Sequence, residues 1–196
     1  MRYLCIVLFA VIFLTSCSDE KEQQLPSLNR KNQWPASKVF TGNNNSFVIS
    51  LSKELNGISY KQTDTLKTIY DNAIQDVYLM ENDSISMTIS VAHYSKNVIQ
   101  KRKPEKLFES AMNNFLHAMD AKSTQSMKCV KALQNKSTEG LRTFYTMLDG
   151  MTRYYGTSEM YLFDDRLYHI AILTTSKDAF SYSPSIALAF HSFMPQ

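Results

Sequence analysis

The 196 residues include only five glycines, five prolines, three cysteines and one tryptophan. So little glycine and proline excludes collagen-like and linker-dominated chains. Charge is thin as well. A formal net charge of +3, spread along the chain, lacks the basic footprint of a nucleic-acid binder. The motifs that build common active sites are missing: no Gly-x-Gly-x-x-Gly, no phosphate-cradling Gly-Lys-Ser/Thr loop, no Cys-x-x-Cys, no His-Glu-x-x-His and no Gly-x-Ser-x-Gly. Most of these chemistries need backbone conformations that glycine supplies. The four histidines, at 93, 117, 169 and 191, never fall within four residues of one another, so no metal-ligand spacing is present. No enzyme class is indicated, and no cofactor is expected.

What is present begins at the N-terminus. Arg2 precedes an uninterrupted apolar run, Leu4 to Leu14, "LCIVLFAVIFL". These residues make about half of a bilayer-spanning helix, and a charge followed by a short apolar run is the order of a secretory signal. The run closes on Leu14-Thr15-Ser16-Cys17. One reading is a chance cysteine after an ordinary signal peptide. The other is that "LTSC" resembles a bacterial lipobox: an aliphatic residue, a small or β-branched one, a small one, then cysteine. In that family the cysteine thiol receives a diacylglyceryl group, the signal is removed just before it, and the new amino group is usually acylated.

The resemblance implies a signal peptide over residues 1–16, cleavage between Ser16 and Cys17, and a mature chain from Cys17 held to the membrane by two or three acyl chains. One chain would give only marginal anchoring. Ser18 does not match the aspartate that retains some lipoproteins in the inner membrane. Ser18, Asp19 and Glu20, with the charges that follow, are similar to the surface-export signal of Bacteroidetes lipoproteins. They also fit a solvated charged tether. The implied location is the cell envelope, on the periplasmic or surface side of the outer membrane. Once Cys5 leaves with the signal and Cys17 is acylated, Cys129 is alone and cannot form an internal disulfide. In "SMKCVKAL" it reads as a small buried hydrophobe.

Residues 17–38 are polar, with Pro26 and Pro35 and no periodic apolar face, and read as the lipidated N-terminus and a flexible tether. Residues 39–196 read as a single domain. "SFVISL" (46–51) is a short strand, and "NAIQDVYLMEN" is a second. In "SISMTISVAHY", Ile85, Met87, Ile89 and Val91 alternate with Ser86, Thr88, Ser90 and Ala92, the pattern of an antiparallel strand with one polar face. "KPEKLFESAMNNFLHAMDA" is a helix: Pro104 suits its first position, and Phe108, Met112, Phe115 and Met119 form a stripe.

Four strands follow over 126–135, 141–148, 151–163 and 166–175, with turns at Asp149-Gly150 and Asp164-Asp165 and a possible bulge at Gly156. Ser183 and Pro184 open a closing helix whose stripe is Ile186, Phe190 and Phe193. The order β-β-α-β-β-β-β-α predicts an α+β fold, a twisted antiparallel sheet of about six strands with two helices packed on it. This order and the closing "SIALAFHSF" resemble the PsbP-like fold and its bacterial lipoprotein members of the DcrB type. The resemblance implies a mostly non-catalytic role. A tryptophan often found after the first strand in that family is replaced here by "SKELNGISY".

His169 alternates onto the face of Leu167, Ala171 and Leu173 and reads as a core or boundary histidine, while His93 could pair with a sheet carboxylate. Tyrosine and phenylalanine are in surplus, eleven of each. Tyr145, Tyr154, Tyr155, Tyr161 and Tyr168 lie on neighbouring predicted strands. They form either a contact surface for a partner or a sheet face covered by the helices. The sequence therefore suggests a lipid-anchored envelope protein. Its domain binds or scaffolds an unidentified protein partner, touches the membrane through Cys17, and binds no nucleic acid. An immunity or export-chaperone lipoprotein that covers a toxin, and a hydrolytic enzyme with an unrecognised site, stay open as alternatives.

Overall fold

In the computed structural model the described residues are 36–196, apart from 56, 58, 68–71, 82–83, 134–136 and 179–182. They form, in order, β1 (Ser37–Thr41), β2 (Phe47–Ser52), β3 (Ser59–Lys67), β4 (Asn72–Glu81), β5 (Ile85–His93), α1 (Lys96–Gln100), α2 (Pro104–Ala118), β6 (Ala121–Ala132), β7 (Ser137–Asp149), β8 (Thr152–Phe163), β9 (Arg166–Thr174), α3 (Pro184–Ser192) and β10 (Met194–Pro195). The fold is α+β, as the element order predicts. Its main sheet is antiparallel, ordered β3-β4-β5-β9-β8-β7-β6, and a second sheet is ordered β1-β2-β10. The main sheet has seven strands where about six were expected. Strand β3 is the addition, and "SFVISL" belongs to the second sheet. No described helix is long and apolar enough to cross a membrane.

The alternation in β5 divides the core in two. Met87, Ile89 and Val91 face one layer, where they join Tyr78, Tyr161, Tyr168, Ile170 and Ile172 from neighbouring strands. Phe47, Ile49 and Leu51 of β2 close that layer together with Ile186 and Ala189 of α3. Phe47 packs edge-on to Tyr78 at 5.0 Å and tilted against Phe193 at 5.4 Å. Such aromatic pairs each contribute about 0.5–1.5 kcal/mol beyond the area they bury. The C-terminus is stitched in by hydrogen bonds: the Gln196 amide donates to the Ser46 carbonyl, and the Tyr168 hydroxyl donates to the Gln196 carbonyl.

The other side of β5 carries Ala92 against α2, whose Phe108, Met112 and Leu116 are buried on Tyr145, Met160 and Leu167. The capping signals operate as expected. Pro104 occupies the first turn of α2, and the Ser183 hydroxyl accepts from the Ile186 amide at the start of α3. Helix α2 ends at Ala118, earlier than its apolar stripe suggests. Asp120 then turns the chain with a left-handed φ of 48°, and β6 starts at Ala121 rather than near Ser126. A short polar residue can hold this conformation more cheaply than most.

Candidate functional site

Helix α2 lies over β6, β7 and β8, and beyond its last turn the same face of the main sheet forms an open groove of about 440 Å³. The floor is Leu79 of β4, Thr88 of β5, Ala171 and Leu173 of β9 and Tyr145 of β7. Phe115 and Met119 at the end of α2 make one wall, and Met147 and Tyr154 line the β7–β8 side. Exposed Glu81 and Asp149 stand at the two flanks, one on β4 and one on β7. From β4 to β7 the floor crosses five strands. Four inter-strand spacings of about 4.8 Å give it a width of roughly 19 Å.

Glycine shapes this floor. Tyr145 pairs with Gly156 across β7 and β8, and a Cβ on Gly156 would stand 2.2 Å from the tyrosine ring. The ring lies flat over the glycine because no side chain is there. Gly156 is therefore not the expected bulge: pairing with β7 and β9 runs through it without a shift in register. Phe115 meets Tyr145 edge-on at 5.5 Å and His169 at 4.6 Å. His169 is buried, as its alternation implied, and its Nε2 has no hydrogen-bond partner among the described residues. Burial lowers its pKa to about 4.

The opposite face holds a buried polar cluster that the sequence reading did not anticipate. Glu159 is 2% exposed. Its Oε1 accepts from Arg142 through Nε at 2.7 Å and also through the terminal nitrogen, and its Oε2 accepts from the Tyr161 hydroxyl. A buried carboxylate is tolerated only with such partners. Burial first, and Glu159 next, push the Tyr161 hydroxyl far above its ordinary pKa. Nearby Lys131 donates to the Phe190 and His191 carbonyls at 2.6 and 2.9 Å, so a cation caps the C-terminal end of α3. Burial lowers the Lys131 pKa.

The Cys129 thiol sits beside this cluster. Burial, followed by the Glu159 charge, pushes it up to about 11. With Cys5 and Cys17 replaced by alanine, Cys129 should react with a disulfide reagent at pH 8 roughly a hundredfold more slowly than an ordinary thiol. In urea the ordinary rate should return. Equal rates in both states would contradict a shielded thiol.

The five singled-out tyrosines do not share a face. Tyr145 and Tyr154 lie on the α2 side, and Tyr155, Tyr161 and Tyr168 lie on the other. Tyr145, Tyr161 and Tyr168 are buried, whereas Tyr154 and Tyr155 are half-buried. Of the five, Tyr145 and Tyr154 line the groove. His93 Nε2 reaches Asp76 at 3.9 Å, and Asp164 and Asp165 form the β8–β9 turn, with Asp164 at a φ of 54°. Ser16, Cys17, Ser18, Asp19 and Glu20 lie outside the described residues. Among the described residues, no three histidine, cysteine, aspartate or glutamate side chains gather as a metal site would require.

The antiparallel sheet, covered by a helix on one face and by a small sheet with a closing helix on the other, is similar to the PsbP-like fold. The solution structure of cyanobacterial PsbP (CyanoP) from Synechocystis sp. PCC 6803 matches it with a TM-score of 0.55 at 8% identity, over 85% of this chain and 95% of that one. A Pseudomonas aeruginosa protein of unknown function aligns with a TM-score of 0.42 at 7% identity, over 82% of this chain and 97% of its own. No protein-family model and no curated protein matches the sequence.

Proposed function

We propose that the protein is a bacterial lipoprotein, held at the cell envelope by acyl chains on Cys17, whose PsbP-like domain is a non-catalytic binding module. The groove past the end of α2 is its contact surface. The observation that carries the binding reading is that Phe115, Met119, Met147 and Tyr154 border an open groove of about 440 Å³ over the sheet. A concave surface with apolar walls and a few polar groups is the usual form of a recognition site. The anchoring reading rests on Leu14-Thr15-Ser16-Cys17, and the following Ser18-Asp19-Glu20 directs the protein toward the outer face of the outer membrane.

A photo-crosslinking amino acid placed at Met147, within the groove, should give a discrete adduct in intact cells. The same group at Val39 of β1, 68% exposed and remote from the groove lining, should not. Equal labelling at both positions, or none at Met147, would remove the groove from the account.

A further inference from the structure

We propose that the groove takes an extended peptide segment with a basic residue at each end of an uncharged, largely apolar stretch of about six residues. This rests on the groove being the binding surface. Three observations determine the chemistry. The lining among the described residues includes two carboxylates, Glu81 and Asp149, and no lysine, arginine or histidine, although the whole chain has a net charge of +3. The carboxylates stand on opposite flanks: Glu81 on β4 is level with Tyr145 of β7, and Asp149 lies four residues further along β7. About 19 Å across the strands and about 13 Å along them put the two roughly 23 Å apart, which two basic residues with about six extended residues between them would span. Met119, the C-cap of α2, lines the wall, so the negative end of a 15-residue helix dipole also faces the site.

The space between the flanks selects for polypeptide. Phe115, Met147 and Tyr154 offer apolar and aromatic area to side chains, whereas a bare polyamine brings only the methylenes of its chain. Thr88 and Ser86 add hydroxyls for a peptide backbone crossing the strands. Repulsion by the two carboxylates and the helix end excludes acidic segments, so charge supplies specificity and the apolar walls supply affinity.

The test uses the full-length chain in detergent and fluorescent octapeptides. One has lysine at both ends of six alanine and leucine residues, and its counterparts end in glutamine or in glutamate. Fluorescence anisotropy should show the lysine-ended peptide binding about tenfold more tightly than the glutamine-ended one, and the glutamate-ended peptide binding most weakly. The preference should collapse at 0.5 M salt and in the Glu81→Gln/Asp149→Asn double variant, whose melting temperature should match the parent. Equal binding of all three peptides would overturn the proposal, as would spermine competing as well as the lysine-ended peptide. If no peptide binds while Met147 still crosslinks in cells, the ligand class is wrong and the binding surface stands. If both are silent, both readings fall.

Discussion

Replacing Glu159 with alanine should destabilise the domain by about 3 kcal/mol or more, the largest loss expected from a single side chain here. The substitution removes a carboxylate that is 2% exposed, and it strips three hydrogen bonds at once. Arg142, 28% exposed, is left charged beneath the sheet without its counter-ion, and the Tyr161 hydroxyl loses its acceptor. Removing one partner of a buried pair costs more than the pair contributes, because the survivor keeps its desolvation penalty. Exchanging both partners for apolar residues, Glu159→Leu with Arg142→Met, should recover much of that loss. Urea denaturation of the parent and the two variants measures this directly. A single variant as stable as the parent would mean that the cluster is solvated.

The second large effect is a pH dependence governed by His169. Burial lowers its folded pKa to about 4, whereas in the unfolded chain it titrates near 6.5. Below pH 6.5 the unfolded chain takes up a proton that the folded chain refuses, so stability present at neutral pH is lost as the pH falls toward 4. A depression of that size corresponds to about 3 kcal/mol by pH 4. The nearest partners are Phe115 edge-on and the paired Ser90 and Met160, with no charge among them to offset the cost. Carboxylates titrate in the same range, so the comparison must be made against His169→Met. The variant should lose less stability than the parent between pH 7 and pH 4. Parallel pH curves would contradict the burial of an uncharged imidazole.

Periodicity in the sequence reached the elements but not all of their neighbours. Strand β5, helix α2 and helix α3 were legible because each has a dense apolar stripe bounded by turn or cap residues. Strand β3, "SYKQTDTLK", was not, because it carries almost no apolar alternation and its place depends on pairing with β4. The second sheet was hidden for a different reason. It joins β2 to a two-residue strand at the far end of the chain, a contact that no local pattern encodes.

The floor of the groove and the buried cluster came closer to being readable. Both follow from the β7–β8 register. The loop is Gly150-Met151, with Gly150 at a φ of 58°, and counting outward from it sets Tyr145 against Gly156 and Arg142 against Glu159. Placing the turn one residue earlier, at Asp149-Gly150, slides every later pair and hides both features. Alternation alone placed His169 correctly with Leu167, Ala171 and Leu173. It also divides Tyr154 from Tyr155 and Tyr161 within β8, but it could not show which of these faces Tyr145 and Tyr168 share, because that depends on register across three strands.

The central claim is that acyl chains on Cys17 hold a binding domain at the membrane, and Cys17→Ala tests it most directly. Membranes and soluble fractions would be compared for the parent and the variant, with mass measurement of the N-terminal peptide of each. The account predicts that the parent begins at an acylated Cys17 and needs detergent for release, and that the variant moves to the soluble fraction. A parent chain whose N-terminal peptide carries no lipid, or a variant that still needs detergent, would contradict it.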